Sequence, residues 1–291
     1  MRVLRTRAEL RAALADAPRP VGLVTTMGWL HHGHRELMRT ARAENATTVV
    51  TIFVNPRQFN EASDYTRYPR NEAQDLAICE SEGVDLVFAP DVTEIYPEGF
   101  DTTVSVGAVA QPLEGAARPG HFDGVATVVA ILFGLVDADR AYFGQKDAQQ
   151  VMVIRQMARD LAIGTEVVTL PTVREPDGLA MSSRNVHLSP EERAAATVLR
   201  RALVAARDAW AGGERSAEAL RATMRSVLAR EPLADVEYAS VADGRTLAEL
   251  DEVDGPALAS LAVRFGSTRL IDNEPLGDVA GTQPGPQVYG G

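Results

Sequence analysis

Lysine is almost absent from this sequence: Lys146 is the only one, against 28 arginines in 291 residues. A chain that supplies positive charge as arginine nearly everywhere keeps one compact, strongly hydrated ammonium on a flexible stem. Such a group is suited to following a single moving phosphate oxygen. Cysteine is equally scarce. Cys79 stands alone, which excludes an intramolecular disulfide and any zinc site built on cysteines. Long apolar runs are missing too; the longest, Val125 to Val136, is too short to span a bilayer. Positive charge as a whole is in deficit. The net charge of -11 argues against non-specific binding to nucleic acid or anionic membrane, so any polyanion must be met by a local cluster of cations. The start, Met1-Arg2-Val3-Leu4-Arg5, has no apolar core of signal-peptide length. These absences point to a cytoplasmic protein without nucleic-acid or membrane partners.

What is present has two textures. Through about residue 172, short apolar runs alternate with amphipathic segments. Val21 to Thr25, Thr48 to Val54, Asp85 to Ala89, Ala141 to Gly144 and Glu166 to Leu170 read as buried strands. Helices are expected between them, at His34 to Glu44, Asn71 to Glu82, Gly124 to Asp137 and Ala148 to Leu161. Repeated strand–helix–strand predicts a parallel sheet with helices on both faces and a ligand at the carboxyl ends of the strands. From 173 to 276 the pattern becomes that of a smaller α+β domain. Ser189-Pro190-Glu191-Glu192 is a helix start, with serine as N-cap and proline at the first helical position. Helices are expected at Pro190 to Ala211 and Ser216 to Arg230, then strands at Val236 to Val241, Ala257 to Phe265 and Arg269 to Asp272. Residues 277–291, rich in glycine and proline, are expected to form a disordered tail.

Three stretches carry chemistry. His31-His32-Gly33-His34 follows a strand and opens a helix, so its imidazoles can donate to phosphate oxygens where free N–H groups and a partial positive charge converge. Capping alone, or a metal site, are the other readings of the histidine pair; a metal lacks an obvious third ligand. Met181-Ser182-Ser183-Arg184-Asn185 places two hydroxyls before a guanidinium, in a loop that also holds Arg174 and Asp177-Gly178. Combined with Lys146, these form the pattern of enzymes that transfer a nucleotidyl group by attack on the α-phosphorus of ATP. Pro56 stops a strand and leaves the amides of Asn55 and Gln58 at the sheet's carboxyl edge. Gln149 and Gln150 open the helix after Lys146, as two neutral amides able to bind a hydroxy-acid from one pocket.

The chain resembles the pantothenate synthetase (pantoate–β-alanine ligase) family, within the His-x-Gly-His nucleotidyltransferases, over about residues 1 to 276. Five stretches carry the likeness: Thr26 to His34, Phe53 to Phe59, Arg118-Pro119-Gly120-His121-Phe122, Phe143 to Gln150, and Arg174 to Asn185. The resemblance implies a Rossmann-like N-terminal domain, a smaller C-terminal lid domain, magnesium and a homodimer. It implies activation of pantoate by ATP to pantoyl adenylate, then attack by the amine of β-alanine. On this basis His31, His34, Lys146, Ser182, Ser183 and Arg184 handle the triphosphate. Gly144 and Asp147 hold the ribose, and Val173 and Met181, with Met27, line the rest of the ATP site. Gln58 and Gln150 bind pantoate, with Met27 and Phe53 near its methyl groups and Asn55 beside them. Asp75 is an outer magnesium ligand and Arg118 a loop contact.

Four positions depart from the family's usual residues: Gln145 for glutamate, Thr25 for proline, His187 for tyrosine, and Arg57 for an apolar side chain. A glutamate at 145 would favour the charged form of a nearby amine, so Gln145 is expected to alter the field around Lys146 slightly. Two other functions compete. A silent ATP-sensing module would need the histidine loop but neither the amide pair nor the complete clamp. A related adenylate-forming transferase would act on another small acid; the absence of charge among the expected acid ligands favours a neutral, hydroxyl- and methyl-bearing one.

Overall fold

In a computed structural model, residues 1–60 and 62–277 are described; the expected tail lies, from 278 on, outside the described residues. The chain divides into two compact units. The first comprises Met1–Phe143 and Gln149–Val168; the second comprises Gly144–Ala148 and the described residues from Thr169 on.

The first unit is built on a six-stranded sheet: β1 (Arg2–Leu4), β2 (Val21–Thr26), β3 (Thr47–Ile52), β4 (Leu86–Phe88), β5 (Arg140–Gly144) and β6 (Glu166–Leu170). The order is β1-β4-β3-β2-β5-β6, and the pairs β1–β4, β4–β3, β3–β2 and β2–β5 are parallel. The central strands β2 and β3 are buried almost throughout, as expected of a sheet covered on both faces. The chain runs outward from β2 to β3 on one side and has β5 on the other, so β2 and β5 flank the switch point, where the fold directs ligands to strand carboxyl ends. Helix His32–Glu44 packs Leu37, Met38 and Ala41 against the sheet. The sequence periodicity places this helix correctly but misses β1 and helix Arg7–Ala15, both of which are short.

Helix His121–Val136 is apolar along most of its length and buries Val125, Val129, Leu132 and Phe133. Each such side chain contributes about 1.5–3 kcal/mol relative to exposure. Its Gly124 is a packing requirement. A Cβ there would lie 2.2 Å from the Arg57 carbonyl oxygen and 2.7 Å from the Gln58 nitrogen. The helix thereby lets the turn Pro56–Gln58 lie directly on it.

The second unit contains an antiparallel sheet, β7 (Asp235–Asp243), β8 (Ala257–Phe265) and β9 (Thr268–Leu276), in that order. Leu199, Leu203, Leu220, Met224, Leu261, Val263 and Phe265 form its core with the helices Val198–Ala211 and Ala217–Leu228. The single helix expected from Pro190 to Ala211 is two, Pro190–Ala195 and Val198–Ala211. Thr197 explains the break. Its hydroxyl donates to the Ala194 carbonyl at 2.8 Å, and the Leu199 N–H bonds to Ala196 in a tighter turn. The helix does start at Ser189, where the side chains of Ser189 and Glu192 cap each other's backbone N–H groups.

Gly124→Ala and Gly134→Ala, in the same helix, should have opposite effects. The first forces backbone apart and should cost about 1–3 kcal/mol of stability. The second meets no atom within 4 Å and should gain up to about 1 kcal/mol from helix propensity. Chemical denaturation of the two variants measures both signs.

Candidate active site

In the first unit the site begins at the carboxyl ends of β2 and β3. The Thr26 hydroxyl donates to the Thr51 carbonyl at 2.7 Å and accepts from the Gly28 N–H at 3.1 Å. The Phe53 N–H donates to the Thr26 carbonyl, which sets Phe53, buried, beside the half-buried Met27. Gly28 has φ +79°, and a Cβ on it would sit 2.8 Å from an Asp75 oxygen. Asp75 is 2% exposed. Its two oxygens accept from the Trp29 N–H at 2.9 Å and the Leu30 N–H at 2.8 Å. Burial pushes its carboxyl above the ordinary aspartate range, against the pull of those two donors. Asp75 thus fixes the turn that delivers the histidines.

His31 is the N-cap of helix His32–Glu44. Its Nδ1 accepts from the Gly33 N–H at 3.1 Å, while the Nδ1 of His34 accepts from the His31 N–H at 3.2 Å. The rings lie 4.1 Å apart. An imidazole nitrogen that accepts carries no proton, so both neutral rings hold theirs on Nε2. The histidines cap the helix, and the caps select the tautomer with its proton on Nε2, which is compatible with the phosphate-donor reading.

Asn55 is 1% exposed. Its Nδ2 donates to the Gln58 side-chain oxygen and to the Gly124 carbonyl, both at 3.0 Å. Its Oδ1 accepts from the Arg57 N–H at 3.2 Å and the Tyr96 hydroxyl at 2.8 Å. Burial raises the Tyr96 hydroxyl to about 12, so it remains a donor at neutral pH. All four hydrogen-bonding positions of Asn55 are engaged by protein, and the bond it makes to Gln58 turns the Gln58 NH2 group away from it. The Gln58 carbonyl is braced as well, by Arg118 Nη2 at 3.2 Å and His121 Nδ1 at 2.8 Å. Because that oxygen only accepts, His121 carries its proton on Nδ1 and takes a bond from Arg118 Nη1, at 3.0 Å, on Nε2.

The glutamine pair separates. Gln149 is buried, accepts from the Glu114 N–H and donates to the Val109 and Pro112 carbonyls, so its amide fastens a loop and does not face a ligand. Gln150 is half-buried, and its amide makes no hydrogen bond among the described residues. Consecutive helical residues point about 100° apart and cannot share one face.

In the second unit, Gly144 leads into the turn Gln145–Asp147. The Lys146 side chain is 14% exposed, with Nζ 3.5 Å from Asp147. Gln145, beside it in the chain, turns its amide to β9. Its buried amide donates to Asn273 Oδ1 at 3.1 Å. The Arg174–Asn185 stretch folds back on itself: Arg174 pairs with Ala180, and the Met181 N–H donates to the Val173 carbonyl, which brings Val173 and Met181 together. Arg174 is consumed by Asp272, through bonds of 2.6 and 3.0 Å. Ser182 caps the turn Ser183–His187 by accepting from the Arg184 N–H, with the Arg184 residue exposed. His187 is also exposed, and Arg57 stacks over Tyr96 and Phe100, 5.5 and 5.3 Å from their ring centres.

The model of the pantoate-beta-alanine ligase family matches residues 2–275. The chain belongs to that family. It is 62% identical over 273 residues to a pantothenate synthetase of Roseiflexus sp. strain RS-1, covering 94% of this chain and 98% of the relative. Among solved structures it is similar to pantothenate synthetase from Thermus thermophilus, with 49% identity, a TM-score of 0.91, and 96% and 100% of the two chains covered. A pantoate-beta-alanine ligase from Francisella tularensis, complexed with beta-gamma ATP and beta-alanine, is 33% identical with a TM-score of 0.77, over 94% and 97% of the chains. The Rossmann-like fold expected of the family agrees with the sheet described above. No helix among the described residues is long and apolar enough to cross a membrane.

The roles of Asp75, Asp272 and Asn273 escape a reading of the sequence because their partners are distant in the chain. Asp75→Asn replaces one acceptor of the Met27–Leu30 turn by an NH2 group facing a backbone N–H. It should cost about 1–3 kcal/mol and slow turnover; urea denaturation beside an activity assay measures both, and an unchanged protein would show that the turn does not depend on the carboxylate.

Proposed function

We propose that this chain condenses pantoate with β-alanine, using ATP, to give pantothenate, AMP and pyrophosphate. One observation carries the local reading: two histidines at a helix start whose Nδ1 atoms both accept from backbone N–H groups, which puts both protons on Nε2, the tautomer that donates to phosphate oxygens. Membership of the family supplies the substrates, and the ATP and β-alanine in the Francisella relative support the same pair for this chain.

In this reading a pantoate carboxylate oxygen attacks the α-phosphorus, a phosphorus–oxygen bond forms, and pyrophosphate leaves with the electrons of the broken one. The amine of β-alanine then attacks the acyl carbon of pantoyl adenylate, AMP leaves, and the nitrogen loses a proton. No side chain needs to bond covalently to substrate. His31, His34, Lys146, Ser182, Ser183 and Arg184 are assigned to the phosphates, where preorganised donors stabilise charge spread over equatorial oxygens. Gly144 and Asp147 are assigned to the ribose, and Met27, Val173 and Met181 to the remaining ATP contacts. Gln58 and Gln150 are assigned to pantoate. The Gln58 NH2 group, oriented by Asn55, suits an oxygen acceptor on the acid, and the apolar Phe53 and Met27 suit its methyl groups.

Magnesium is proposed to enter as MgATP. The residues present do not fit a resident metal site. Both Asp75 oxygens are engaged by backbone donors, and no group of three metal-binding side chains occurs among the described residues. A homodimer and a cytoplasmic location complete the proposal; the family resemblance supports the first, and the demand for ATP the second.

Labelled pyrophosphate should exchange into ATP when pantoate is present and β-alanine absent. Exchange with an absolute requirement for β-alanine would overturn the order of steps. In the same assay His34→Ala should lower kcat by about 10²-fold or more, because the lost donor acts mainly on the transition state. Lys146→Arg should fold and still lose much of kcat, since a planar fork does not replace a point charge.

A further inference from the structure

The segment Gly144–Ala148 runs from the last residue of β5 to the first residue of helix Ala148–Asp160, yet it groups with the second unit. Three hydrogen bonds of this segment converge on one side chain. Asn273, on β9, is 5% exposed. Its Nδ2 donates to the backbone carbonyls of Gln145 at 3.0 Å and Lys146 at 2.9 Å. Its Oδ1 accepts from the Gln145 side chain at 3.1 Å. Both donor hydrogens are thus spent on consecutive carbonyls, and the acceptor is directed at the same turn. Reversing the amide would set oxygen against two carbonyl oxygens, so its orientation is fixed.

Asn273 is itself anchored. Its N–H donates at 2.8 Å to Asp272 Oδ1. The buried Asp272 carboxylate grips Arg174, whose guanidinium also donates to the Gly178 carbonyl at 3.2 Å. Residues 272 and 273 point to opposite faces of β9, as strand neighbours must. One holds the backbone under Lys146, and the other holds the base of the loop that carries Ser182, Ser183 and Arg184.

We propose that Asn273 is the positioning residue for Lys146: it fixes the backbone from which the ammonium reaches the phosphates, and through Asp272 it ties that backbone to the serine–arginine loop. This rests on the reading of Lys146 as a phosphate ligand. A flexible four-carbon stem delivers a charge reproducibly only if its root is held. Two hydrogen bonds to the carbonyls of Lys146 and its predecessor hold that root without touching the amine. The sequence departure at Gln145 falls on a residue that also contacts Asn273.

The test is a double-mutant cycle in the full-length protein, read by pantoate-dependent pyrophosphate exchange. Asn273→Ala should lower the exchange kcat at least about tenfold while the KM for pantoate changes little. In a Lys146→Ala background the same substitution should cost less than about twofold, because a residue that acts through Lys146 has nothing left to position. An equal loss in both backgrounds overturns the proposal, since a general structural role predicts that result. No loss in the single variant overturns it too. If Asn273→Ala does not fold, Asn273→Ser, which keeps one short donor, enters the same cycle; failure of both to fold assigns Asn273 to stability and overturns the positioning role. Failure of the underlying reading looks different: Lys146→Ala would retain full exchange, or the unmodified protein would show no pantoate-dependent exchange.

Discussion

The first N–H groups of a helix have no partners within it, and in the first unit the placement of the histidines follows from this deficit. His31 and His34 meet it with Nδ1 atoms, and the choice of nitrogen determines where each ring keeps its proton. Everything upstream serves that register. The Thr26 hydroxyl joins the ends of two strands, Gly28 turns the chain with positive φ, and the Asp75 carboxylate takes the next two N–H groups before the helix begins. A buried carboxylate is costly unless it is hydrogen-bonded, and here its bonds go to the turn that leads into the histidine loop. The same rule applies at Asn55, whose buried amide spends every donor and acceptor on protein and so leaves Gln58 with one orientation.

The second unit uses the same economy in a strand. β9 closes the small sheet, and its neighbours Asp272 and Asn273 reach two separate loops because successive strand side chains diverge. The bracing side chains Asn55, Asp75, Asp272 and Asn273 are all buried. Lys146 is mostly covered, whereas Arg184 is exposed.

Features carried by adjacent residues were legible in the sequence. Apolar runs marked β2, β3, β5 and β6, the order Ser189-Pro190 marked a helix start, and the stretch His31 to His34 marked another. Features that depend on distant partners were not. Gln149 and Gln150 look alike as letters, and only the fold reveals that Gln149 is spent on the Val109–Glu114 loop. Asp75 lies 46 residues from Trp29, so nothing beside it in the chain marks it as the acceptor that holds that turn, and the resemblance offered it as an outer magnesium ligand instead. Asn273 lies 128 residues from Gln145, beyond the reach of any local pattern. Thr197 broke a helix through its hydroxyl, where alanine-rich flanks suggested continuity.

The solitary lysine has a spectroscopic consequence. Protein made with isotopically labelled lysine would carry a single labelled residue, so its backbone amide would give one resonance with no assignment problem. That residue sits in the Gln145–Asp147 turn, with its carbonyl in the grip of Asn273. The signal would therefore report, at one point and against an empty background, how tightly the turn is held as each ligand is added.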